Sequence, residues 1–226
     1  MTKISTGSFD LNAWLNGGYE KDIITMIAGP PGSGKTNFSI LASCSQSKNN
    51  KKVIFIDTEG GFSVDRVKQI VGENHEKILE NIFLLKPTNF EEQKQCFEKL
   101  LIAVKKEQIG LIVVDGMAML YRLELGDAVQ SKNDLDIKNI NREIANQMRV
   151  LAEISRKQEI PILITNQVYS GFVSEEDWKK GLKGEANIVG GDLFKYWSKC
   201  IIELKNESGK KKAILLKHRS IKQKEF

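Results

Sequence analysis

One octapeptide constrains this chain more than anything else in it. Gly29-Pro30-Pro31-Gly32-Ser33-Gly34-Lys35-Thr36 fits the pattern G-x-x-x-x-G-K-[ST] at every position, between an apolar run at Ile23–Ala28 and a segment of helical pattern. These residue types follow from the task of holding phosphates. Glycines let successive backbone N–H groups turn inward around anionic oxygens. Lys35 adds a positive charge beside the β and γ phosphates, from a crevice expected to face solvent. Thr36 offers a hydroxyl to Mg²⁺, and the N-terminus of the helix that follows favours the anion. The motif therefore implies a nucleoside triphosphate with Mg²⁺, cradled by all eight residues. It also demands a strand before it and a helix after it, which commits the chain to an α/β fold.

The remaining sequence supplies that fold. Val53–Asp57, Ile82–Leu85, Leu111–Asp115 and Ile160–Thr165 are apolar without alternation, the pattern of strands covered on both faces. Thr88-x-x-Glu91 reads as a capping box opening a helix with the apolar face Phe90, Phe97, Leu100, Leu101 and Val104. A longer helix presents Ile137, Ile140, Ile144, Met148, Leu151 and Ile154 at steps of three and four. This alternation predicts a mainly parallel sheet with helices on both faces. Cys200–Lys205 and Ala213–Lys217, joined by a hairpin-like turn at Asn206–Lys210, are expected to extend it in antiparallel fashion. At 226 residues, 41% hydrophobic and 28% charged, one domain over 1–226 accounts for the chain. No apolar run approaches the ~20 residues that cross a bilayer, and Met1–Phe9 has no signal-peptide core. Cys44, Cys96 and Cys200 are odd in number and form no CxxC, so they read as buried thiols of a cytoplasmic protein. Two histidines, His75 and His218, exclude a multi-His metal site.

A phosphate loop needs a carboxylate to organise the metal and a group to orient the attacking water. Asp115 ends an apolar strand and fits the first role, so the metal set is Thr36 and Asp115. Glu59, just past the strand that follows the loop helix, fits the second, because carboxyl ends of parallel strands line the ligand crevice. Gln167 ends the next strand and could bond the γ phosphate and relay its loss to the following loop. The catalytic set is thus Glu59 and Gln167.

Charge is uneven. From Lys205 to Phe226 there are eight Lys/Arg against two Glu, so this segment carries +6 of a total of +5 and residues 1–204 sum to −1. A basic segment on a near-neutral body suggests a polyanion such as nucleic acid, or else a solvated tail. Lys210, Lys211, Lys212, Lys217 and Arg219 are the candidate DNA contacts. Lys217 and Arg219, alternating along a strand, should point to one face.

These motifs in this order resemble the RecA-type recombinases, specifically their archaeal and eukaryotic branch. The resemblance also rests on Ile4-Ser5-Thr6-Gly7 with Leu15-Asn16-Gly17-Gly18, Asp57-Thr58-Glu59-Gly60-Gly61-Phe62 then Arg66, Ala118-Met119-Leu120-Tyr121-Arg122, Ile164-Thr165-Asn166-Gln167-Val168, and Gly190-Gly191. It covers almost the whole chain and implies a RecA-like ATPase core. It further implies ATP as the nucleotide, water activation by Glu59, γ-phosphate sensing by Gln167 and stacking of Arg66 on adenine. The recombinase's N-terminal helix–hairpin–helix domain and Phe-x-x-Ala polymerisation motif have no counterpart in the sequence. The size and layout, with Lys217-His218-Arg219 near the end, are those of the family's core-only archaeal paralogue. That likeness implies binding of ATP and of DNA, single-stranded or branched rather than sequence-specific duplex, with very weak hydrolysis and a role in recombination and repair without strand exchange. The recombinase and a Holliday-junction endonuclease are the implied protein partners.

Departures keep other readings open. The two loop regions that carry DNA in the family, Gly116–Lys138 and Val168–Val189, each sum to −1, though Tyr169, Phe172 and Trp178 of the second could stack on bases. Lys217 and Arg219 could serve ATP in trans instead of DNA. The alternative from another class is a KaiC-like signalling ATPase that binds protein partners and no DNA.

Overall fold

The computed structural model describes residues 2–170, 186–207 and 209–226. In chain order the elements are β1 (Lys3–Ile4), α1 (Phe9–Trp14), β2 (Tyr19–Glu20), β3 (Ile24–Gly29), α2 (Lys35–Lys48), β4 (Lys52–Asp57), α3 (Val64–Val71), α4 (His75–Leu79) and β5 (Ile82–Leu85). They continue with α5 (Phe90–Lys106), β6 (Ile109–Asp115), α6 (Met119–Gln130), α7 (Asp134–Gln158), β7 (Ile162–Ser170), β8 (Ala186–Ile188), α8 (Asp192–Trp197), β9 (Ser198–Glu207), β10 (Lys210–His218) and β11 (Lys224–Glu225). The main sheet runs β11-β10-β9-β3-β7-β6-β4-β5, with β8 paired to β7. Its interior is parallel, as unbroken apolar runs require, and all six residues of β3 are buried. One core cluster packs α5, α6 and α7 against one face, around Leu100, Ile144, Met148 and Ile164; the other packs α1 and α2 against the opposite face, around Leu11, Ile40, Phe55 and Val113.

Three expectations are corrected in detail. Helix α5 is capped by Asn89, whose Oδ1 accepts the Glu92 N–H at 2.8 Å, while the Glu92 carboxylate reaches back to the Thr88 N–H at 2.7 Å. The cap is thus one residue later than Thr88-x-x-Glu91, and the Thr88 hydroxyl instead donates to the Glu92 carboxylate at 2.9 Å. Leu101 is 39% exposed, since the buried stripe turns through Gln93 and Cys96 instead. At the C-terminal end, β9 joins parallel to β3 and only β10 and β11 are antiparallel, with the turn between Glu207 and Lys210 tighter than Asn206–Lys210. Crossover through α8 delivers β9 in parallel. The three cysteines are free and buried, and no described helix is long and apolar enough to cross a membrane.

The α-helical layer contains a polar bond that the periodicity does not announce. Gln93 of α5 and Gln147 of α7 are 0% and 1% exposed, and the Gln93 amide donates to Gln147 Oε1 at 2.8 Å. A buried partner left alone costs about 1–3 kcal/mol, whereas removing both partners is nearly neutral. Gln147→Met should therefore lose about 1–3 kcal/mol in urea unfolding, and Gln93→Met with Gln147→Met should recover most of it. Additive losses in the double variant would show that the pair is not coupled.

Candidate functional site

The site forms where parallel strands end side by side. Register pairs Gly29 with Gln167 and Asp57 with Asp115, so the phosphate loop, both carboxylate-bearing strand ends and the glutamine share one edge. Gly32 and Gly34 have φ of 72° and 106°, a left-handed backbone that explains glycine there. At Gly29 the reason is space: a Cβ would lie 2.6 Å from Ser33 Oγ and 2.8 Å from the Leu204 carbonyl oxygen.

Lys35, expected on a solvent-facing crevice, is 6% exposed. Its ammonium folds back onto its own loop, donating to the carbonyls of Gly29 at 2.9 Å and Pro30 at 3.0 Å. Burial depresses its pKa, with the carboxylates of Glu59 and Asp115 opposing the drop. Thr36 Oγ1 donates to Asp115 Oδ2 at 2.7 Å, and Thr165 Oγ1 donates to Asp115 Oδ1 at 2.6 Å. Burial nevertheless pushes the Asp115 pKa up, against those two hydrogen bonds.

Glu59 and Gln167 meet: the Gln167 amide donates to Glu59 Oε1 at 3.2 Å. A cleft of about 420 Å³ is lined by Lys35, Thr36, Glu59, Gln167 and Arg66 among others, so five of the side chains chosen from sequence face one space. Arg66, on α3, is tied to the loop helix through Asn37 Oδ1, which accepts its Nε–H at 2.9 Å. The residues suit the implied ligands. Ser33 Oγ is buried without a partner and Lys35 holds only loop carbonyls, so both can turn to phosphate acceptors. The Thr36 hydroxyl and Asp115 carboxylate are hard oxygen donors of the kind Mg²⁺ takes together with phosphate oxygens and water. Among the described residues no group of three or more His, Cys, Asp or Glu forms a cage that would hold a metal alone.

Sequence reasoning missed the residues that hold this arrangement. Thr165 accepts the Gly116 N–H at 2.8 Å while gripping Asp115. Asp57 accepts the N–H groups of Gly61 and Phe62 at 3.1 and 2.9 Å and so bends the chain after Glu59. A Cβ at Gly116 would stand 2.6 Å from Glu59 Cγ, so glycine makes room for that side chain. The available signal was a hydroxyl two residues before Gln167 and a glycine directly after Asp115.

The five basic candidates are not brought together. Lys210, Lys211 and Lys212 pair with Glu207, Asn206 and Lys205, beyond the carboxyl edge of β3, whereas His218 pairs with Cys200 at the amino edge. Lys212 is bound to Glu225 at 2.7 Å and Glu207 at 3.4 Å. The end of β10 at His218 breaks the alternation that was to aim Lys217 and Arg219 at one face. Lys217 Nζ donates to the Lys195 carbonyl at 2.7 Å. Arg219 instead grips buried Glu20 at 2.6 Å and forks onto Asp22 at 2.7 and 2.5 Å. His218 Nδ1 accepts the N–H groups of Ser220 and Ile221, which turns its Nε2 toward Glu20 at 3.9 Å. Of the second loop candidates, Tyr169 is 53% exposed, and Phe172 and Trp178 lie outside the described residues.

Arg219 is thus a clamp on the β2–β3 connection. Arg219→Ala should lower stability by about 1–3 kcal/mol, because Glu20 is 2% exposed and loses its cation. The clamp holds the Asp22 carboxyl below its ordinary range, so its contribution exists above the unfolded pKa and is lost as pH falls through the folded one. In thermal melts the gap between parent and variant should narrow below about pH 4. A variant as stable as its parent at neutral pH would show that the clamp carries no load.

The chain is similar to known proteins over almost its whole length. The chain is 40% identical over 223 residues to the DNA repair and recombination protein RadB of Methanobrevibacter smithii, covering 97% of this chain and 88% of that one. It is 42% identical over 213 residues to RadB of Methanococcus maripaludis, covering 94% and 90%. To RadB of Methanocaldococcus jannaschii it is 41% identical over 207 residues, covering 90% and 88%. The profile of the Rad51 family matches residues 1–223, and the chain belongs to that family.

Proposed function

We propose that this protein binds ATP with Mg²⁺ at the cleft above β3, binds DNA, and serves recombination and repair as an accessory protein with very slow hydrolysis and no strand exchange of its own. The observation that carries the reading is the meeting of Glu59 and Gln167 over a cleft that also holds Lys35, Thr36 and Arg66. The relatives' shared description as DNA repair and recombination proteins supplies the biological setting.

Each residue has a task in this scheme. Lys35 exchanges loop carbonyls for phosphate oxygens and brings its charge to the triphosphate. Thr36 and Asp115 hold the metal, which when bound neutralises charge developing on the phosphates. Glu59 accepts a proton from the attacking water, and Gln167, bonded to it, reports the γ phosphate. Arg66, fixed by Asn37, lays its guanidinium on the adenine. For DNA, Lys210, Lys211 and Lys217 are the candidates whose charge no carboxylate cancels among the described residues, whereas Arg219 and Lys212 act within the fold.

Two substitutions separate binding from chemistry. Glu59→Gln keeps the shape and an oxygen for Gln167 but cannot take a proton, so ATP affinity should stay within about twofold while turnover falls at least tenfold. Lys35→Ala removes the cation facing the triphosphate and should abolish ATP binding in calorimetry with the circular dichroism unchanged. Undiminished hydrolysis in Glu59→Gln would remove that residue from the chemistry. Equal ATP affinity in Lys35→Ala would mean that the loop is not the nucleotide site.

A further inference from the structure

A second cationic cluster lies at the amino edge of the sheet, away from the phosphate loop. Helix α8 ends in two successive carbonyls that each hold a lysine: Lys195 O accepts Lys217 Nζ at 2.7 Å and Tyr196 O accepts Lys199 Nζ at 3.0 Å. Lys217 faces Ile201 across the β9–β10 ladder, two residues along β9 from Lys199, and the charge of Lys199 acts on it. The carboxylates at this edge, Glu20 and Asp22, are already taken by Arg219. Among the described residues neither Lys199, Lys217 nor the exposed Arg156 of α7 has an ion-pair partner. A cleft of about 320 Å³ is lined by Arg156, Lys199 and Trp197 together with the paired Asp22 and Arg219. Burial and the charge of Lys199 both hold the Lys217 pKa below its ordinary value, so the two ammonium groups repel one another. The one carboxylate that lines the cleft, Asp22, is committed to Arg219, so Lys199, Lys217 and Arg156 leave an excess of positive charge that favours an anion.

An aromatic ring stands beside these charges. Tyr196 is 68% exposed, is held edge-on against Trp197 at 5.4 Å and 86°, and lies 5.2 Å from the Lys199 ammonium. The Lys199 ammonium lies over the ring, and the rest of the ring stays open to solvent. An oriented, open ring next to unneutralised cations is the combination that takes a single strand: phosphates on the cations, a base on the ring. In a duplex the base faces are stacked inside and cannot reach Tyr196.

We infer that Lys199, Lys217 and Arg156 with the ring of Tyr196 form a seat for unpaired nucleotides of single-stranded DNA. The inference rests on the proposed DNA binding and adds a location and three residues outside the basic C-terminal segment. If the lysines only cap α8, their removal will change stability alone.

Fluorescence anisotropy with three labelled probes of equal length tests it: oligo-dT, an abasic strand with the same backbone, and a duplex. Tyr196→Ala should weaken oligo-dT about tenfold and leave the abasic strand unchanged, while Tyr196→Phe keeps parental affinity. Lys199→Gln should weaken both strands and lower the salt slope by roughly 0.7. Arg156→Gln, on an exposed helix face, gives the same reading independently should Tyr196→Ala or Lys199→Gln melt early. A parent that binds oligo-dT while Tyr196→Ala, Lys199→Gln and Arg156→Gln bind within twofold of it overturns the seat and leaves DNA binding standing. A parent that binds no probe overturns both. Equal loss of oligo-dT and abasic strand in Tyr196→Ala, or tighter binding of duplex than of oligo-dT, also overturns the seat and leaves a general polyanion surface, such as one for an acidic protein segment.

Discussion

The buried carboxylate of Asp115 is the constraint on which the cleft depends. It is 1% exposed and held by two hydroxyls, one from the start of α2 and one from within β7. Three elements far apart in sequence are thereby fixed at hydrogen-bond distance. A buried carboxylate short of a donor is costly, so this geometry is held more firmly than packing alone would hold it. Register does the rest. With β4 and β7 in place beside β6 and β3, Glu59 and Gln167 have no choice but to face each other, and Gly116 leaves them the room.

Electrostatics makes the same point from the other side. Asp57 and Glu59 both raise the pKa of Asp115, so acidic charge accumulates at the very edge that is to receive an anion. That is unfavourable for a phosphate alone. It becomes favourable when a divalent cation enters with it, because a nearby positive charge reverses the repulsion and favours ionised Asp115. Lys35, whose own charge is disfavoured by burial, gains in the same event. Ligand and metal are therefore expected to bind as one unit.

What could be read from sequence was local or periodic. The octapeptide, the unbroken apolar strands and the 3.6-residue stripe of α7 each need only neighbouring residues to be seen. Glu59, Asp115 and Gln167 were reachable because parallel strands share a carboxyl edge. The rest was set by partners distant along the chain. Thr165 and Asp115 are 50 residues apart, Gln93 and Gln147 are 54 apart, and Arg219 and Glu20 are 199 apart. Alternation also misled at Lys217 and Arg219, because β10 ends at His218 and the chain leaves the strand before Arg219. Charge counting found the basic segment but not that three of its cations, Lys205, Lys212 and Arg219, are paired within the fold, nor that Lys199 lies beside Lys217 and lines a cleft with Arg156.

The base of the excursion from β7 to β8 bears on how Gln167 could report a nucleotide. Its carbonyl accepts the Val189 N–H at 2.9 Å, and the amide of Asn166 donates to the Val189 carbonyl at 2.7 Å. Val168 and Tyr169 then pair with Ile188 and Asn187. The backbone on both sides of Gln167 is thus pinned to the returning strand. Only its side chain is free to respond, and that side chain already touches Glu59. A signal from the γ phosphate would therefore begin as an exchange of hydrogen-bond partners by one amide, between Glu59 and phosphate, with the strand held still. For it to travel further, the loss of that bond must bias a second arrangement of the Val189–Gln167 junction. The two hydrogen bonds across that junction are the ones whose breaking would define such an arrangement.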